Sequence, residues 1–209
     1  MVSALVLNLV AAHAFGPYSS GQVGYDVSYP NCAAKPSGAF GIIGVNDGRP
    51  FTVNPCFGTE YSGPANSAYI NTAYSRAYSS NVTVGCKSGG DAAWQIGCSE
   101  AEYSLAQVDV APSMWWLDVE TANSWSAPPA NRSAIQGALD RLRNTGSPVG
   151  VYSTAGAWKK ITGGSFVPSG VAGAWQPAPS CSGATAFMPG TTVWVTQTVH
   201  NNLDVDAAC

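Results

Sequence analysis

From Trp115 to Glu120 the chain reads Trp-Trp-Leu-Asp-Val-Glu, an apolar run that ends in two carboxylates two residues apart. In a strand successive side chains point to opposite faces, so Trp116, Asp118 and Glu120 share one face, and Trp115, Leu117 and Val119 share a wholly apolar one. The same alternation recurs at residues 23–28, where Gly24, Asp26 and Ser28 oppose Val23, Tyr25 and Val27, and at residues 203–206, where Asp204 and Asp206 oppose Leu203 and Val205. Apolar or alternating runs at 40–45, 67–72, 149–153, 173–176 and 192–197 predict five further strands. Between them, helical spacing places Ala93, Ile96, Ala101 and Leu105 on one face of residues 91–107, and Ile135, Leu139 and Leu142 on one stripe of residues 131–144, with Gly146 as the stop. Shorter helices are expected near 54–61 and 157–161. The Ser-, Tyr- and Gly-rich stretch 73–90 reads as a long loop anchored through Cys86.

Eight strands with intervening helices predict an α/β protein, a single compact (β/α)8 TIM-like barrel. Residues 15–209 sit at or slightly below the small end of that architecture, roughly 200 residues, so some helices should be shortened. An open doubly wound sheet is the competing arrangement, but neither a dinucleotide fingerprint nor a phosphate-binding loop is present to support it. In a barrel, strand ends at the mouth build the active site, which is where the predicted acids fall.

Composition narrows the setting. Hydrophobic residues make up 45% of 209, enough for one sizeable core, whereas charged residues make up only 10%, against roughly 25% in an average soluble chain. The net charge of −3 and the absence of any basic cluster larger than Lys159-Lys160 exclude a nucleic-acid partner. Six cysteines without a C-x-x-C pair imply three disulfides in an oxidising compartment, and chain proximity suggests Cys32–Cys56, Cys86–Cys98 and Cys181–Cys209. Residues 1–14 read as a signal peptide, an apolar core closing on Ala12-His13-Ala14; they lack a basic n-region, which fits a shortened start, and a first strand is the alternative reading. No stretch approaches the ~20 apolar residues of a membrane span. The expectation is a secreted, extracellular monomer.

Cleavage after Ala14 would leave His200 as the sole histidine, which excludes a multi-histidine metal site. No metal and no cofactor is expected, and the chemistry falls to carboxylates. Asp26, Asp118, Glu120, Asp204 and Asp206 are five of only twelve acids, all near the ends of predicted strands. Like charges converging on one cleft cannot all ionise easily, so at least one should keep its proton and serve as a general acid. Paired carboxylates are the equipment for cleaving a glycosidic bond.

These residues resemble glycoside hydrolase family 25, the lysozyme-like muramidases, and related actinobacterial secreted proteins. The resemblance rests on Gly24-Tyr25-Asp26-Val27-Ser28, Trp116-Leu117-Asp118-Val119-Glu120, Val149-Gly150-Val151-Tyr152-Ser153, Trp194-Val195-Thr196-Gln197 and Leu203-Asp204-Val205-Asp206. It implies a glycosidase that cuts β-1,4 linkages of peptidoglycan, with Glu120 as general acid and Asp118 as partner of the substrate's N-acetyl group. Asp26 and Asp204 would complete the catalytic carboxylates, and Tyr152, Trp125, Trp175, Gln197 and Asp206 would contact substrate. Family members usually carry Asn where this chain has Asp206. Two other readings stay open here: a hydrolase of another polysaccharide on the same fold, and a non-catalytic carbohydrate-binding protein.

Overall fold

The alternation along the strands becomes the wall of a closed barrel. In the computed structural model, which describes residues 16–32, 37–61 and 66–209, eight strands follow one another around the wall in chain order. They are β1 (Val23–Val27), β2 (Gly41–Gly44), β3 (Asn66–Asn71), β4 (Trp115–Asp118), β5 (Val149–Tyr152), β6 (Ala174–Pro177), β7 (Val193–His200) and β8 (Leu203–Ala208). The α/β barrel expected from the sequence is therefore the fold. The expected signal peptide at residues 1–14 lies outside the described residues.

The barrel is not a ring of eight equal βα units. Neighbouring strands from β1 to β7 run parallel, but β8 is antiparallel to both β7 and β1. The cause is local: only Asn201 and Asn202 separate β7 from β8, both with positive φ (50° and 60°), and such a two-residue turn makes a hairpin. A parallel crossover needs a dozen residues or more. Among the described residues the α-helices are α1 (Phe57–Glu60), α2 (Ala92–Leu105), α3 (Pro128–Arg143) and α4 (Ala155–Thr162), which follow β2, β3, β4 and β5.

The two faces of the wall bury different things. Ile42, Tyr69, Met114, Trp116, Trp175 and Val195 pack with one another inside the barrel. Outward-facing Ile43, Ile70, Trp115, Leu117, Val119 and Val151 meet Ile135, Leu139 and Leu142 of α3 and Trp158 of α4. The Asp91 carboxylate caps α2 by accepting from the Ala93 and Trp94 amides (3.0 and 2.9 Å), one of the standard ways to satisfy a first helical turn. α3 begins three residues before the expected 131–144, because Pro128 and Pro129 occupy first-turn positions where an amide hydrogen would have no helical partner anyway. α2 and α3 cross at backbone contact. A Cβ on Gly97 would lie 1.9 Å from the Ala134 carbonyl oxygen, and one on Gly137 would lie 2.1 Å from that of Trp94.

Three disulfides pair Cys32 with Cys56, Cys86 with Cys98, and Cys181 with Cys209, as chain proximity suggested. The second ties the 73–90 segment, which contains two short 3-10 helices at Arg76–Asn81 and Val84–Cys86, to α2. No described helix is long and apolar enough to cross a membrane.

Candidate active site

At the end of the barrel where β1 and β4 terminate, a groove of about 350 Å³ is lined by Asp26, Asp118, Glu120 and Asp204, with Tyr69, Asn71, Tyr152, Trp175 and Gln197 among them. β1 and β4 present Asp26 and Asp118 by inward alternation. Glu120 lies two residues further, just past the end of β4, where Trp125 holds its carbonyl through an indole hydrogen bond of 2.7 Å. Asp204 arrives from the reversed strand, directly opposite Asp26 in the β1–β8 register. Because β8 runs backwards, its first residues reach the mouth and its later ones descend.

Hydrogen bonds from neighbouring strands fix the acids. The Asn71 amide donates to Asp118 Oδ2, while Asp118 Oδ1 is buried without a partner among the described residues. Asn71 is itself held by Asn46, whose amide donates to the Asn71 carbonyl (3.0 Å) and accepts from its N–H (3.1 Å). The next residue, Thr72, donates its amide to the Asp118 carbonyl (3.0 Å) and its hydroxyl to Glu100 of α2 (2.6 Å). On the other side the Tyr152 hydroxyl donates to Gln197 Oε1 (2.8 Å), and Gln197 Nε2 donates to Asp26 Oδ2 (2.8 Å). The Trp175 indole donates to Asp206 Oδ1 (2.9 Å).

Every acid here is harder to ionise than a free carboxyl. Burial, and then the charge of Asp204, pushes Asp26 up to about 7. Burial followed by Asp204 raises Glu120, and burial alone raises Asp204. Asp118 is held well above the usual range by burial first, then by Glu120 and Asp26. Among the described residues no Lys or Arg lines the groove to offset this; the ion pair found among them, Arg141–Glu102 at 3.9 Å, lies on the outer helices. A site of this kind stores a proton at near-neutral pH, as acid catalysis requires.

Of the residues expected from the sequence, Asp26, Asp118, Glu120, Asp204, Tyr152, Trp175 and Gln197 all line the one groove. Two do not. Trp125 lies outside the lining and packs its ring against the outer core, because its indole is used on the Glu120 carbonyl. Asp206, expected as a substrate contact, is fully buried beneath the groove, a consequence of the reversed strand, which places it one layer deeper than Asp204. Asn71, Tyr69, Tyr29 and the supporting Glu100 were not picked out by sequence reasoning. Asn71 carried a signal, since it ends a strand neighbouring the acidic one and is in phase with Tyr69, but Glu100 sits in the middle of a helix with nothing to mark it.

The fold has solved counterparts. A muramidase from Trichobolus zukalii superposes with a TM-score of 0.61 at 20% identity, covering 90% of this chain and 93% of its own. A family GH25 lysozyme from Aspergillus fumigatus gives 0.62 at 16%, covering 91% and 95%. The Cpl-1 endolysin, complexed with a peptidoglycan analogue, gives 0.61 at 16%, covering 90% of this chain and 54% of that one. At these identities the likeness concerns the fold. No curated protein matches in sequence. A family model does match, over residues 70–175, just over half of the chain and the stretch that holds Asn71, Asp118, Glu120, Tyr152 and Trp175. The chain belongs to the family described as Lysozyme-like protein 1.

Proposed function

We propose that this protein is an extracellular muramidase that hydrolyses β-1,4 linkages of peptidoglycan by carboxylate acid catalysis. The observation that carries the reading is the convergence of Asp26, Asp118, Glu120 and Asp204 on one groove, with no cation beside them among the described residues. The substrate class follows from the family and from the Cpl-1 endolysin, which shares the fold and was solved with a peptidoglycan analogue. The three disulfides support an extracellular site of action.

Glu120 is only partly buried and has its proton held by burial and by Asp204, so it is the acid that protonates the leaving oxygen as the C1–O4 bond breaks. The acetamide carbonyl oxygen of the cleaved sugar attacks C1. Asp118, which lines the groove beside Glu120 and is steadied by the Asn71 amide at Oδ2, accepts from the acetamide N–H. Burial is the main cause that holds the Asp118 proton; a protonated Glu120 removes the second, its own charge, and the acetamide N–H adds a donor that favours the Asp118 anion. Glu120, now a carboxylate, takes a proton from the water that opens the cyclic intermediate.

The test is release of reducing ends from purified cell walls by wild type and by Glu120→Gln. Release by wild type and its loss in a variant of unchanged melting temperature is the expected result; equal activity would remove Glu120 from the mechanism. Turnover of another glycan but not of peptidoglycan would reassign the substrate, and sugar binding without turnover at any pH would make the groove a binding site.

A further inference from the structure

Below the groove two carboxyl groups meet that cannot both be ionised at low cost. Asp206 is in register with Gly24, and Asp204, two residues earlier on the same face of β8, is in register with Asp26. Asp206 thus points into the barrel one layer under Asp26, and their side chains come within hydrogen-bonding reach of each other. Asp206 Oδ1 accepts from the Trp175 indole at 2.9 Å, whereas Oδ2 is buried and has no donor among the described residues. An orphaned carboxylate oxygen facing a second carboxylate repels it; the same oxygen carrying a proton becomes a donor, and the contact becomes a hydrogen bond.

We propose that Asp206 is a positioning residue whose neutral carboxyl donates from Oδ2 to Asp26 and so holds Asp26 as the one anion of the pair, aimed at the groove. The surrounding polarity agrees. Tyr152 donates to Gln197, and Gln197 donates to Asp26; on the far side Trp175 donates to Asp206, which completes a chain of donors all directed to Asp26. The titratable groups facing Asp206 are Asp26 from β1, Asp204 from its own strand and Tyr18 from the segment before β1. All are acids, so none helps to ionise it. Burial first, then the charge of Asp26, holds the Asp206 proton to well above the usual carboxyl range.

The catalytic consequence rests on the muramidase reading; the protonation state does not, and the two are measured separately. Infrared difference spectra of wild type minus Asp206→Asn at neutral pH should contain the C=O stretch of a protonated carboxyl. A difference showing only carboxylate bands overturns the proposal. In the kinetic arm, Asp206→Asn keeps a donor for Asp26 and an acceptor for Trp175, and kcat on cell walls should stay within roughly threefold of wild type. Asp206→Ala leaves both partners unmatched, and kcat should fall roughly 10- to 100-fold with KM unchanged, because Asp206 does not touch substrate. Equal losses in the two variants would overturn the role of the hydrogen bond. If no form cleaves peptidoglycan, the muramidase reading fails, and the infrared result still decides whether Asp206 holds the proton.

Discussion

The two sides of the barrel wall reach the same groove by different means. β3, β4 and β5 are parallel strands backed by α2, α3 and α4, and their outer faces are buried in the large cluster of Trp115, Leu117, Leu139 and Trp158. β7 and β8 form a hairpin that closes on β1 with no covering helix among the described residues, and Val199 near its tip is 72% exposed. In place of a helix, Cys181–Cys209 ties the segment after β6 to the end of β8. Each side nonetheless delivers two acids, Asp118 with Glu120 from one and Asp26 with Asp204 from the other. Placing a carboxylate at the mouth requires inward alternation in a closed wall; the outer layer governs how firmly that wall stands.

The largest expected effect contrasts the acids of the two sides. Glu120→Gln should lower kcat by about 10²- to 10⁴-fold, the range for losing a general acid. Asp204→Asn should cost less and act on pH: the Asp204 charge raises Glu120, so removing it lets Glu120 ionise at lower pH and moves the alkaline limb of the rate profile toward acid. An unmoved limb in a pH–rate measurement would disconnect the two sides.

Stability separates them next. Replacing Cys181 and Cys209 together by Ala should cost about 3–4 kcal/mol from the chain entropy of a 28-residue separation, read by denaturant unfolding, with the hairpin side losing hydrogen-exchange protection first. On the helix side, Gly137→Ala drives a methyl into the Trp94 carbonyl and should cost about 1–3 kcal/mol by overpacking. If the glycine variant proves the more damaging, the helix pair is the weaker support and the comparison reverses.

A further effect, on pH dependence, concerns Glu100, buried in α2 beneath Thr72, where burial pushes its carboxyl up to about 8. The folded protein holds this proton where the unfolded chain has released it. This contribution to stability is therefore intact at acid pH and declines as pH rises from about 4.5 toward 8. Glu100→Gln should flatten that decline in a series of thermal melts. An unchanged slope would assign the alkaline loss to the acids of the groove.

Much of this was legible in the chain. The strand centres, the stripes of α2 and α3 and the three cysteine pairs followed from periodicity and spacing, since strands buried on both faces read as short apolar runs and period two shows where one face carries the acids. The hairpin was not read from the chain: Asn201-Asn202 suit a two-residue turn, but the acids of residues 203–206 read equally well as the end of another parallel strand. Glycines 97 and 137 gave no warning, because a close helix crossing depends on a partner far away in sequence. Glu100 was silent for the same reason: its meaning comes from Thr72, 28 residues earlier.

By itself the sequence determined an acid-lined, helix-backed barrel and named Asp26, Asp118, Glu120 and Asp204, because side-chain alternation is a local property of the backbone. Only the tertiary structure decided depth. In a parallel eighth strand Asp206 would stand nearer the mouth than Asp204; the hairpin reverses that strand and sends Asp206 under Asp26 instead. Chain direction in a closed sheet is set by the connection and the partner strands, and alternation reads the same in both directions.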